Sequence, residues 1–170
     1  YALEKNMIPY VFEKSDDIGG IWGKKNEPIW EGLYANVSKY TMMFSDFPWP
    51  KNSYIFPSKN EVKSYLTNYS NYFNISKHIY LNQNIESVKQ IESNKWKLTY
   101  SSKSRSKTST ELFDYLIISS GLHSKPRIPE FKGLSNFRGL IMHSSNFKLD
   151  DTRLKDKNVI IVGSSLSGVD

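Results

Sequence analysis

Asn158-Val159-Ile160-Ile161-Val162-Gly163-Ser164-Ser165-Leu166-Ser167-Gly168 is the stretch whose reading decides the fold class. Four β-branched residues in a row match a buried parallel strand. A Gly/Ser-rich turn follows at once. A strand that breaks into such a turn is how a nucleotide pyrophosphate is brought to a helix N-terminus. The class this predicts is α/β, built on βαβ dinucleotide-binding units.

Earlier parts of the chain support the same class. Phe113–Gly121 reads as a second buried strand ending at glycine, and Pro126 and Pro129 then stop regular structure. Tyr1–Asn6 reads as the last turns of a helix closed by Asn6, with Pro9 beyond it. Pro9–Lys14 is a short strand ending in an acidic residue, Glu13. In a βαβ unit an Asp or Glu about 20 residues past the Gly-rich turn receives the ribose hydroxyls. Glu13 is placed for that work, with a solvated surface glutamate as the alternative. The Gly-rich turn that would serve it is expected upstream of Tyr1. In Asp16–Trp22, Gly19 and Gly20 precede Ile21 and Trp22. Paired glycines before an apolar residue suit a close backbone approach to a flat ligand. The bland alternative is a tight turn anchored by Trp22.

Residues 23–60 lack periodicity, and Asn36–Pro50 reads as an irregular loop packed by its own aromatics. Glu61–Phe73 has the helical period, with Ser58 as its cap and Tyr65, Leu66, Tyr69, Tyr72 and Phe73 on one face. An aromatic stripe beside basic residues could stack bases, but core packing is the reading adopted. Ile79–Val88 and Trp96–Tyr100 alternate as half-exposed strands do, and Ser101–Thr110 reads as a solvated loop or hairpin tip.

The 170 residues are 38% hydrophobic and 14% aromatic, with a net charge of +6 spread along the chain. No compact basic stripe appears, so nucleic acid is not expected as a partner. The absence of cysteine excludes a disulfide framework and a redox thiol pair within this stretch. No apolar run reaches membrane-spanning length and no signal peptide is present, so a cytoplasmic or cytosol-facing location is expected.

Phe137-Arg138-Gly139-Leu140-Ile141-Met142-His143-Ser144-Ser145-Asn146-Phe147 has the form F-x-G-x-x-x-H-x-x-x-F. No physical principle predicts that string. It resembles the fingerprint of the flavin-containing monooxygenases. Five further blocks agree with that family in order: F-E-K at 12–14, G-G-x-W at 19–22, N-x-x-K through D-F-P at 36–48, S-G through P-x-x-P at 120–129, and V-G-x-x-x-S-G at 162–168. The resemblance implies two Rossmann-like domains, both incomplete here. Residues 1–123 would belong to the FAD domain and 124–170 to the crossover and the start of the NADPH domain.

By the same resemblance, Glu13 binds the adenosine ribose, Gly19, Gly20, Ile21 and Trp22 lie along FAD, and Ile85 touches the adenine through its backbone. Asn36 lies against the flavin ring where oxygen reacts, flanked by backbone contacts from Ala35 and Val37. Gly163, Ser165, Ser167, Gly168, Val169 and Asp170 fall in the NADPH loop. The implied activity is an NADPH-driven monooxygenation, in which a flavin hydroperoxide passes one oxygen from O2 to an amine nitrogen or a sulfide sulfur. An address on the cytosolic face of the endoplasmic reticulum is also implied. The rivals are another two-nucleotide flavoprotein, such as a disulfide reductase, and a binding module that kept the fold without the chemistry. One departure stands out: Ser165 occupies the place of the usual middle glycine. Its Cβ would either push the pyrophosphate outward or let the hydroxyl donate to it.

Overall fold

The computed structural model describes residues 1–23, 32–103, 105–121, 125–148 and 150–165. Its organising unit is a parallel crossover. Strand β1 (Val11–Phe12) pairs in parallel with β2 (Ile79–Tyr80), in the register Val11 with Ile79 and Phe12 with Tyr80. Parallel neighbours need a long connection, and here it carries helix α1 (Lys59–Tyr72). The chain then turns into an antiparallel meander of β3 (Gln83–Ile91), β4 (Lys95–Ser102) and β5 (Arg105–Phe113).

Helix α1 begins where the sequence marks it. The Ser58 hydroxyl accepts from the Glu61 amide, and the Glu61 carboxylate accepts from the Ser58 amide, a complete capping box. Its inward face buries Val62 and Tyr65 against Trp49, with Trp22, Met42, Phe47 and Leu66 packed around them. Tyr65 stacks on Trp49 with ring centroids 4.0 Å apart, and its phenol donates to the Phe47 carbonyl at 2.6 Å. Phe47 also meets Tyr69, Tyr72 and Phe73. The aromatic stripe is therefore mainly packing, although Tyr72 remains 73% exposed. A second aromatic group joins the parallel pair to the meander: Phe12 lies 4.7 Å from Tyr100 and 5.9 Å from Phe113, and Tyr10 stacks on Tyr80.

Three expectations are corrected. Ser101–Thr110 is the hairpin rather than the loop, and its strands run further into it than a tip would: residues 105–110 belong to β5, paired with β4. Cross-strand polar bonds support this polar strand, with Thr99 and Thr110 hydroxyls 3.2 Å apart and Tyr100 donating to Glu111 at 2.6 Å. Phe113–Gly121 is not a buried strand. β5 ends at Phe113, and beyond it Ile117 is 85% exposed. Val159–Val162 likewise form no strand, and Ile160 is 82% exposed. A parallel strand is stable only with hydrogen-bonding neighbours, and the described residues offer these two segments none.

The N-terminal turn is a single 3-10 turn, Leu3–Lys5, closed by Asn6 in the left-handed conformation. Residues 125–148 and 150–165 carry only short 3-10 turns, at Leu134–Asn136, Ser144–Asn146 and Thr152–Leu154. Gly139 of the F-x-G string has a steric reason. A Cβ there would stand 2.5 Å from the Phe137 ring, so any larger residue requires that exposed ring to swing aside. His143 accepts at Nδ1 from the Ser145 amide at 3.1 Å, capping its own turn.

Candidate functional site

Glu13 lies one residue beyond β1. Its amide donates to the Tyr80 carbonyl and its carbonyl accepts from the Gln83 amide. The carboxylate uses one oxygen, Oε1, to accept from the Ser15 amide at 2.7 Å. Among the described residues its other oxygen has no hydrogen-bond partner, and the side chain is half-buried. The Gln83 bond also brings Ile85, two residues further along β3, to the same end of the parallel pair. The Asn82 amide donates to the Ser15 carbonyl and closes this corner.

The double-glycine turn follows. Gly19 and Gly20 have φ of 115° and 54°, and a Cβ on Gly20 would meet nothing within 4 Å. This backbone leaves an open face that a side chain would fill, the shape a flat ring system needs for contact. Trp22 turns inward onto the α1 core, and Ile21 stays exposed. Trp22 is thus the anchor that the bland reading described, on a turn whose glycine side faces outward.

The Asn36 segment is pinned at the start of the same helix. The Ala35 amide donates to the Pro57 carbonyl at 2.7 Å, and the Lys59 amide donates to the Leu33 carbonyl at 2.9 Å. Ala35 is buried, whereas Asn36 and Val37 are exposed. Among the described residues the Asn36 amide has no hydrogen-bond partner. Lys39 is buried, and its ammonium donates to the Ser53 carbonyl at 2.7 Å. Burial alone would raise the Glu61 carboxyl. Hydrogen bonds from Ser58 and from the Tyr54 amide, with the nearby Lys39 cation, outweigh it and hold the group below its ordinary value. Burial pushes the Tyr65 phenol up, so it stays a neutral donor that also accepts from the Phe44 amide.

Two loops thus meet on the first turns of α1. The turn at 19–20 docks through Lys63, whose ammonium lies 2.6 Å from Asp17 Oδ1 and also donates to the Ile18 carbonyl. The 33–39 segment docks through residues 57–59. Gly163 has φ of 132° and Ser165 is exposed. Among the described residues no hydrogen bond ties 158–165 to the rest. Ser167, Gly168, Val169 and Asp170 lie outside the described residues, as do the residues on both sides of the expected boundary between 123 and 124. Sequence reading assigned Lys63 no role. Its signal was available: Lys59, Val62, Lys63 and Leu66 share one face by helical spacing, so a lysine stands on the buried side.

A parallel crossover with a carboxylate at the end of its first strand and an open double-glycine turn is the architecture of an α/β dinucleotide-binding protein. More narrowly, the chain belongs to the flavin-binding monooxygenase-like family, which it matches over residues 1–170. It is 32% identical to Flavin-containing monooxygenase 3 of Rattus norvegicus, over 99% of this chain and 34% of that protein. It is 36% identical to the 4-hydroxybenzoate brominase (decarboxylating) of Marinomonas mediterranea, over 94% of this chain and 30% of that protein. The crystal structure of Tmm from Pelagibacter superposes with a TM-score of 0.87 at 30% identity, covering 98% of this chain and 42% of that one. The S-allyl-L-cysteine S-oxygenase from Allium sativum shares the fold, with a TM-score of 0.79 at 23% identity, covering 86% of this chain and 38% of that one. The chain spans about a third of the length of the curated relatives it matches. Among the described residues no helix is long and apolar enough to cross a membrane.

Proposed function

We propose that this chain forms the FAD-facing part of an FAD- and NADPH-dependent monooxygenase acting on the nitrogen of an amine or the sulfur of a sulfide. The observation that carries the reading is the meeting of two loops on α1, one with a glycine face open to a planar group and one with an exposed amide at Asn36. Residues 1–123 serve the FAD domain and 124–170 lead into the NADPH domain. Family membership favours this reading over a disulfide reductase.

Reduced flavin, when bound, supplies the activation of O2. The chain's own residues bind and orient. The free oxygen of Glu13 would accept from a ribose hydroxyl of FAD, and the Ile85 backbone would hold the adenine. Gly19 and Gly20 admit close approach, Ile21 and Val37 give apolar surface, and Trp22 holds the turn in place from the α1 core. The Asn36 amide would donate to negative charge on the bound flavin, on a segment steadied by the Ala35–Pro57 bond. Gly163, Ser165, Ser167, Gly168, Val169 and Asp170 carry the NADPH loop.

The test uses the full-length protein, assayed for bound FAD, NADPH consumption, peroxide release and oxygenated product with a tertiary amine and a thioether. Product formation matching NADPH consumption is expected. Asn36→Ala should leave flavin reduction intact while peroxide replaces product. A protein without flavin absorbance overturns the reading. So does product formed only with bromide and 4-hydroxybenzoate, the chemistry that the Marinomonas relative's name describes.

A further inference from the structure

Lys63 sits in the second turn of α1 with its side chain only 7% exposed. An ammonium buried this far is costly unless its donors are used. The hydrogen bonds it makes both run to residues 17 and 18. It donates to Asp17 Oδ1 at 2.6 Å and to the Ile18 carbonyl, and Asp17 Oδ1 also accepts from the Ile18 amide at 2.8 Å. The lysine stem passes under Gly19, where an added Cβ would stand 3.1 Å from Lys63 Cδ.

The backbone it grips needs holding. Gly19 and Gly20 both have positive φ, and glycine loses the most conformational freedom when ordered. Two short-range bonds, Trp22 N–H to the Gly19 carbonyl and Gly23 N–H to the Gly20 carbonyl, close the turn on itself. They do not fix where it sits. Trp22 anchors its far end on the α1 core. Lys63 anchors the near end from the same helix that carries the Asn36 segment. With Asp17 42% exposed the ion pair is weak evidence of stability, but it can specify one arrangement among several.

We propose that Lys63 is a positioning residue for the cofactor-facing turn: by holding Asp17 and Ile18 it sets the Gly19–Gly20 backbone in register with the Ala35–Asn36 segment on the same helix. The inference rests on the reading that this turn faces FAD. Lys63 touches no cofactor itself, so its effect is on how FAD is held.

The experiment compares full-length wild type, Lys63→Met and Asp17→Asn. Methionine keeps the stem's apolar length and removes the ammonium. Asp17→Asn keeps the shape and removes the charge pair. Apoprotein is titrated with FAD, the visible circular dichroism of each FAD-saturated protein is recorded, and the melting temperature of each apoprotein is followed. Lys63→Met is expected to raise the FAD dissociation constant about tenfold, roughly one charge-assisted bond partly realised in binding. The flavin dichroism should change shape, and Asp17→Asn should shift both readouts in the same direction by less. A merely structural lysine would lower the apoprotein melting temperature and leave the saturated dichroism as in wild type, and that result overturns the proposal. If Lys63→Met does not fold, Asp17→Asn decides: unchanged affinity and dichroism overturn it. A wild type that binds no FAD refutes the functional reading itself, which keeps the two failures apart.

Discussion

Replacing Glu13 by glutamine separates the two jobs of its carboxylate. In the structure Oε1 accepts from the Ser15 amide at 2.7 Å, while the other oxygen faces no donor among the described residues. Glutamine can keep the first bond through its amide oxygen, but it presents an NH2 where the second oxygen was. The backbone should not move, because the Glu13 amide and carbonyl are both held, by Tyr80 and Gln83. The loss is then one charge-assisted bond to ribose, about 1.5–3 kcal/mol, or roughly 10- to 150-fold in the FAD dissociation constant. Glu13→Ala also strands the half-buried Ser15 amide and should cost about 1 kcal/mol more. The assay is FAD titration of full-length apoprotein, followed by flavin fluorescence quenching. If Glu13→Gln binds FAD within about twofold of wild type, below the 1.4 kcal/mol that a tenfold change represents, the free oxygen does not hold the ribose.

Tyr65→Phe keeps the ring on Trp49 but removes the hydroxyl between the Phe44 amide and the Phe47 carbonyl. Local opening of residues 44–47 should become easier by about 2 kcal/mol, read as roughly 30-fold faster exchange of the Phe44 amide; an unchanged rate refutes it. Ser165→Gly should weaken NADP+ binding by about 0.5–1.5 kcal/mol if its hydroxyl donates to the pyrophosphate. Tighter binding would instead show that the Cβ is a steric cost. The Glu61 carboxyl is held below its ordinary value of 4.5 in the folded chain, so its contribution to stability is present above 4.5 and fades as pH falls through the lowered folded value. Melting curves of wild type and Glu61→Gln should therefore differ by a constant amount above pH 4.5 and converge below it.

The start of α1 was legible in the sequence because a capping box is a local device: Ser58 and Glu61 are three residues apart and need no other part of the chain. Glu13 was legible for a similar reason, as an acid following a short strand. The polar strand β5 was not. Its Ser, Thr and Lys residues look like loop composition, and its pairing with β4 is what makes it a strand. β-propensity reports the packing of a half-buried surface more than an intrinsic backbone preference. The opposite error occurred at Ile117–Ile118 and Val159–Val162. Their composition is that of buried strands, but burial is a property of neighbours, and a run of β-branched residues cannot supply its own.

By itself the sequence determined the ordered set of local signals: the Glu13 strand end, the double glycine, the Asn36 block, the helix cap and the family those blocks belong to. These depend on residue type and short spacing, which the chain carries before it folds. Only the tertiary structure decided that Trp22 points into the core, that Tyr65 ties Phe44 to Phe47, and that Lys63 reaches back 46 residues to Asp17. Contacts at that separation exist only once α1 has crossed over β1 and β2, because loop closure must bring their partners together first.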